Sequence, residues 1–228
     1  MANNIKEGHA LVIINERVEK VDPAVVEAFK DIGVGDIGHI LEVSRFMDVA
    51  IRPVFKDVKL VGSALTAKML PGDISLNRKV IDMAQPGDVI VIDRCGDVQY
   101  ACWGGAVTLY CKVKGVAGMI VDGSTTDSLE IADMKWPVFS RTLSGCVGRK
   151  LDKGGGINIP VQCGGVVVHP GDLIVADDDG ICVIEPDEAE TLLKEVQDRY
   201  GAVPNIRKWI ADGKPLESHP NADLLKKK

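Results

Sequence analysis

The segment from Gly115 to Glu130 limits what this chain can fold into more than any other. Val116 to Val121 is an apolar run that reads as a buried strand, and it passes into a turn of small residues carrying Asp122 and Asp127. A helical pattern restarts at Ser128. Strand, turn and helix in this order belong to an open α/β sheet, where ligands collect at the carboxyl ends of strands beside free helix N-termini. Carboxylates there suit a hard cation such as Mg²⁺, which takes oxygen ligands and keeps several waters. A plainer reading makes Asp127 the N-cap of the helix that starts at Ser128. Both readings stand on these residues alone.

Composition narrows the class. With 46% hydrophobic and 26% charged residues, the chain has the make-up of an ordinary globular protein. Aromatic residues are only 4%, so the core must come from Val, Ile, Leu, Ala and Gly. The net charge of −6 argues against non-specific binding to nucleic acid and gives no attraction to an anionic membrane. An anionic substrate would need a local positive site. No apolar run approaches the roughly 20 residues that span a bilayer, and the first residues lack the apolar stretch of a secretory signal. Cys95, Cys102, Cys111, Cys146, Cys163 and Cys182 show no Cys-x-x-Cys spacing, and most lie in apolar runs where Cys acts as a small hydrophobe. A reduced, cytoplasmic protein is expected, with Cys95 structural although it lies near a candidate loop. His9, His39, His169 and His219 share no metal-ligand spacing.

Along the chain, Asp22-Pro23 starts a helix with Asp at the cap and Pro in the first turn. A second short helix is predicted from Asp36 to about Val43, a strand over Leu60 to Met69 and a helix over Leu76 to Met83. The tripeptide Pro-Gly-Asp occurs at Pro71, Pro86 and Pro170. It marks a tight turn, and the later two copies launch strands. Gly104 to Lys114 is helical in pattern. Strand signals follow at Pro137 to Ser140, Gly145 to Gly148, Val161 to Cys163 and Gly164 to Val168. Asp177 to Gly180 is a hairpin turn into Ile181 to Ile184. An amphipathic helix spans Pro186 to Tyr200, and another begins at Pro204. The expectation is a single layered α/β domain over residues 20–212. Residues 1–20 form an N-terminal extension and 213–228 a polar tail, and helices stand near both ends.

Four stretches now carry a resemblance: Pro86 to Asp93, Ala101 to Gly105, Gly115 to Asp127, and Pro170 through Gly180. With Trp136 to Arg141 they resemble the class II pyruvate aldolases. That group includes 4-hydroxy-4-methyl-2-oxoglutarate and 4-carboxy-4-hydroxy-2-oxoadipate aldolases, and it is also the family of the ribonuclease E activity regulator A. The resemblance implies a β/β/α fold related to swivelling domains, assembled as a homotrimer or homohexamer with sites at subunit interfaces. It implies Mg²⁺ or Mn²⁺ held by few carboxylates, and retro-aldol cleavage or decarboxylation of a small anionic oxo or hydroxy acid. The aldolase signature of an Asp, twenty residues and an Arg-Asp pair falls on Gly105, Thr126 and Asp127. Only the last matches.

By that resemblance Asp127 is the expected metal ligand, with Glu130 a second acid nearby. Thr126 stands where a guanidinium would hold the substrate, and Arg94, just past the strand ending at Asp93, is the candidate replacement cation. Gly104 and Gly105 can present N–H groups to a carboxylate, and Ser124, Thr125 and Asp73 are candidate substrate contacts. Plainer roles remain for each: close packing for the glycines, a turn for the hydroxyls, a helix cap for Asp73, an ion pair for Arg141. Glu195 and Asp198 are acids that would reach a neighbouring subunit. Three functions compete: a metal-dependent carbon–carbon lyase, a sugar-acid hydratase or isomerase, and a non-catalytic ring that binds a protein partner.

Overall fold

The computed structural model describes residues 11–200 and 208–219, so the helix start expected at Pro204 and the ends of both terminal segments lie outside the described residues. In chain order, strand β1 (Val12–Ile14) leads to helix α1 (Pro23–Ala28), whose first turn is capped by Asp22 accepting from the Ala24 N–H at 2.7 Å. Helix α2 is only Val34–Ile37, shorter than the 36–43 span expected. The segment breaks after Gly38 and re-forms as a 3-10 turn at Val43–Arg45. Short strand β2 (Arg52–Pro53) precedes the long strand β3 (Lys59–Met69), and α3 (Asn77–Met83) follows.

The central layer comes next: β4 (Asp88–Asp93), β5 (Ala101–Trp103), α4 (Gly105–Val113), β6 (Gly118–Thr125), α5 (Ser128–Met134) and β7 (Val138–Leu143). The second half holds β8 (Gly155–Ile157), β9 (Val161–Cys163), β10 (Val166–Val168), β11 (Leu173–Asp177), β12 (Gly180–Ile184) and α6 (Ala189–Tyr200). The strand expected at Gly145–Gly148 is reduced to one bridge, Ala101 to Val147.

The result is a mixed α/β domain built on one large sheet, ordered β1-β8-β3-β4-β6-β7-β2. Strands β3, β4, β6 and β7 run parallel, joined in the register Ser63–Asp88, Val89–Gly118 and Met119–Val138. The far edge of β3 is shared: β11 pairs with its first half and β8 with its last three residues, both antiparallel. Parallel strands need crossovers and have both faces covered, and their near-continuous Val, Ile and Leu content follows from that. One apolar layer (Leu65, Ile90, Ile92, Met119, Val121) lies under α3, α4 and α5. The opposite layer (Leu60, Val89, Val91, Ile120, Phe139) is closed by β9, β10 and β11. A third gathers α1, α2 and α6 on β11 and β12.

The three Pro-Gly-Asp copies are one device. In each, the Asp N–H donates to the carbonyl of the residue before Pro (Leu70, Gln85 or His169), and the Gly has φ of 74°, 80° or 91°. That is a type II turn, which needs Gly at its third position. Asp88 and Asp172 then fold back, accepting from the N–H of Gln85 and His169 at 2.7 Å each. Asp73 does not, and its use is described below.

Candidate active site at the start of helix α4

Strand β6 runs farther than the apolar pattern suggested. It continues through Asp122, Gly123 and Ser124 to Thr125, with its register to β7 shifting between Val121 and Ser124. Asp122 is therefore a strand residue and not part of the turn. Its carboxylate accepts from Arg141 Nε at 2.6 Å and the Gly164 N–H at 2.7 Å. Arg141 also donates to Asp48 at 2.7 Å, and these two carboxylates raise its already high pKa, Asp122 most of all. Arg141 is a clamp between β7, β6 and the loop at Asp48.

After Thr125 the ladder to β5 holds for one more residue, with the Thr126 N–H donating to the Trp103 carbonyl at 2.9 Å. Asp127 then adopts a left-handed conformation, φ 56° and ψ 38°, which Asp tolerates better than most residues. Asp127 is the N-cap of α5 by position, but its side chain does not cap α5. Its Oδ2 accepts from the Gly105 N–H at 2.9 Å, at the first turn of α4, and its Oδ1 accepts from Thr126 Oγ1 at 3.2 Å. The local cap expected from sequence is thus redirected to a different helix. Negative charge is favoured there by the unpaired N–H groups of the first turn and by the helix dipole.

Glu130, on the first turn of α5, brings its carboxylate to the same place. Trp103 and Trp136 hold the two helices on the sheet, stacked at 6.4 Å with planes 8° apart. Their indole N–H groups donate to Thr108 Oγ1 at 2.9 Å and the Val116 carbonyl at 2.8 Å. Asp127 and Glu130 are exposed, Thr126 and Gly104 are half-buried, and Gly105 is buried.

Four further sequence candidates make buried contacts within the fold. Arg94 is fully buried: Nη2 pairs with Asp97 Oδ2 at 2.8 Å and Nη1 donates to the Asp73 carbonyl at 2.7 Å, while Nε has no partner. The structure thus places the sequence's candidate replacement cation inside the fold, paired with Asp97; a strand-end position does not say which way a side chain leaves. Burial alone would raise the Asp97 pKa, yet N–H groups of Gly72, Tyr100 and Gln99, with Arg94, hold it below the usual carboxylate range. Ser124 donates its hydroxyl to the Val98 carbonyl, and Thr125 donates to Ser140 Oγ at 3.2 Å, both in buried positions. These bonds occupy the two hydroxyls that the sequence offered as substrate contacts. Asp73, expected at the distal end of a substrate, is 2% exposed and accepts from Ser75 N–H, Ser75 Oγ, Leu151 N–H and Lys153 N–H. Burial pushes its pKa up, but these four donors prevail and hold it at about 2. Burial pushes the thiols of Cys102 up to about 11 and of Cys111 and Cys182 up to about 12, as expected of small hydrophobes.

What the site offers a cation is therefore two solvent-facing carboxylates from the start of α5, brought together at the start of α4. Among the described residues no group of three His, Cys, Asp or Glu converges anywhere. That donor set fits Mg²⁺ or Mn²⁺ held through one or two carboxylates and several waters, and does not fit a tightly caged ion.

Comparison with known proteins now places the molecule. The sequence model described as RraA-like, Aldolase/RraA, matches residues 24–183, and the chain belongs to this family. It is 35% identical over 172 residues, 75% of this chain and 81% of the relative, to a Halalkalibacterium halodurans protein named "Putative 4-hydroxy-4-methyl-2-oxoglutarate aldolase". It is 34% identical over 176 residues, 76% of this chain and 84% of the relative, to protein MJ0644 of Methanocaldococcus jannaschii. Among solved structures it resembles Streptomyces coelicolor RraAS2, described as an unusual member of the RNase ES inhibitor RraA protein family. That likeness has a TM-score of 0.73 and 26% identity, covering 82% of this chain and all of that one. The family thus holds proteins named as aldolases and proteins named as ribonuclease inhibitors. Among the described residues no helix is long and apolar enough to cross a membrane.

Proposed function

We propose that this chain is a divalent-metal-dependent carbon–carbon lyase, of aldolase or decarboxylase type, acting on a small anionic 2-oxo or hydroxy acid in the cytoplasm. The observation that carries the reading is the redirection of Asp127 away from its own helix to the N-terminus of α4, beside Glu130. Asp127 and Glu130 would hold Mg²⁺ or Mn²⁺, which when bound supplies a Lewis acid for the 2-oxo group. The other contributions are the chain's own. Amides in the first turn of α4 lack intrahelical partners and donate to the substrate carboxylate, with Gly105 N–H already given to Asp127. Gly104 keeps the approach to that turn clear of side chain. The Thr126 hydroxyl gives the substrate one neutral donor where a guanidinium would give two charged ones.

The test is a screen of oxaloacetate, 4-hydroxy-2-oxo acids and aldonic acids with Mg²⁺ and Mn²⁺, with a chelator arm. Metal-dependent release of pyruvate supports the reading. Dehydration or isomerisation of an aldonic acid would move it to another reaction on the same fold. A second reading has one observation in its favour: position 126 is Thr and Arg94 is spent on Asp97, so neither supplies a cation at Asp127. A non-catalytic trimeric ring for a protein partner is consistent with that loss. Failure of every acid in the screen, with intact fold, would favour it.

A further inference from the structure

Three buried charges outside the site at α4 lock one small region of the surface. Asp97 accepts from the Gly72 N–H at 2.7 Å and the Tyr100 N–H at 3.1 Å, and Asp73 from the Leu151 and Lys153 N–H groups at 3.1 and 2.7 Å. Arg94 joins the two, pairing with Asp97 and donating to the Asp73 carbonyl. Arg149 closes the ring through its backbone. Its N–H donates to the Gly72 carbonyl and its carbonyl accepts from the Ile74 N–H, both at 2.9 Å. Segments far apart in sequence are thus pinned around a cavity of about 490 Å³. That volume lies within the roughly 300–1,000 Å³ of small-molecule sites.

Its lining pairs apolar walls with positive charge. Gly72, at φ 74°, puts bare backbone there; even a Cβ would stand 3.7 Å from both Tyr100 Cδ2 and Leu151 Cδ1. Tyr100, Val147 and Leu151 are 40%, 52% and 45% exposed, so the pinned segments hold apolar surface open to solvent. The Lys153 ammonium is held at the Pro71 carbonyl at 2.8 Å, and no partner engages the Arg149 guanidinium among the described residues. No acid stands in the lining, in a chain whose net charge is −6. The cavity is separate from the α4 site, because Tyr100 precedes β5 and Gly104 follows it. At the rise of a strand they are roughly 13 Å apart.

We propose that this cavity is a second binding site, for a small carboxylate that carries an aromatic or branched apolar body. The Arg149 fork takes the carboxylate through paired charge-assisted N–H bonds, Lys153 adds a second positive charge to the lining, and Tyr100, Val147 and Leu151 cover the body. The assignment does not depend on the metal-dependent reading above.

Cys146 is the reporter, because it is exposed in the lining, whereas Cys95 is exposed outside it. The experiment follows iodoacetamide alkylation of both thiols in the full chain by peptide mass spectrometry, with benzoate as the probe. Millimolar benzoate should slow Cys146 several-fold and leave Cys95 unchanged, in the native protein and in Asp127→Ala alike. Benzamide has the same ring without the charge, and should need a concentration about tenfold higher or more, the scale of a lost hydrogen bond to a charged group. Arg149→Met, shown to be folded by circular dichroism, should lose benzoate protection to the same degree. Inorganic phosphate, with no apolar body, should protect poorly. Benzamide or phosphate as effective as benzoate, or undiminished protection in Arg149→Met, would overturn the proposal. So would no protection of Cys146 by millimolar benzoate, or protection lost in Asp127→Ala, which would place the probe at α4. A Cys146 closed to iodoacetamide in the native protein would overturn it as well, by showing the cavity covered by a second copy of the chain.

Discussion

Asp73 shows how a single carboxylate can be mistaken for a ligand. In sequence it stands two residues before Ser75 at the start of a helix, and nothing local reveals that Leu151 and Lys153 return to it. Asparagine there would put an NH₂ group against at least one of four donors. Asp73→Asn should cost on the order of 2 kcal/mol at pH 7, as a buried acceptor is lost. A depressed carboxylate contributes fully above its unfolded pKa of about 3.9 and loses that contribution as pH falls through about 2. The gap between native and Asp73→Asn urea midpoints should therefore be widest at neutral pH and close between about pH 4 and pH 2. Arg94→Met should cost about 3 kcal/mol, because it leaves the Asp97 carboxylate buried beside an apolar chain. Its effect should appear in the urea midpoint, with Mn²⁺ affinity of the folded protein unchanged. Thr126→Arg tests the missing guanidinium, and should raise Mg²⁺-dependent oxaloacetate decarboxylation by about 10²-fold if that contact limits the native rate. Pairing it with Gly105→Asp is the weaker experiment, because the new carboxylate would collide with Glu130.

At the scale of elements, the apolar runs of β3, β4, β6 and β7 and the periodic patterns of α4 and α6 were legible, since buried parallel strands and amphipathic helices write themselves in composition. The glycine-rich β8 was not, because Gly155 and Gly156 carry no alternating pattern. Nor was the extension of β6, where Asp122 looked like turn chemistry and is held in the strand by Arg141 and Gly164. The Pro-Gly-Asp turns were readable as turns, but not their division of labour. Asp88 is fully buried and takes Arg17 at 2.7 Å and Lys20 at 2.9 Å, tying the segment after β1 to the start of β4. Asp88→Asn should cost about 3 kcal/mol and leave two cations without their partner. Amide exchange should then accelerate first in residues 12–22, ahead of the parallel strands. If exchange rises uniformly, the turn and the N-terminal segment are not a separable unit.

For the whole molecule, the mixed α/β class was legible from the alternation of helix and strand signals, whereas the sharing of one edge of β3 by β8 and β11 depends on contacts far apart in sequence. Asp127 could be found by motif, but its pairing with Gly105 joins positions 22 residues apart. The outer faces of α4 and α5 leave Leu109, Tyr110, Val113 and Leu129 exposed. Closed symmetry would cover such a face, and light scattering should report a trimer or hexamer at micromolar concentration; a monomer would contradict this. The most direct test of the central claim is Mg²⁺-dependent decarboxylation of oxaloacetate, followed as pyruvate and corrected for the rate with the free ion alone. The account predicts slow turnover by the native protein that is abolished by chelation and reduced about 10²-fold or more in folded Asp127→Ala. Equal rates for native protein and Asp127→Ala, each above the free-ion rate, would show that the chemistry happens elsewhere.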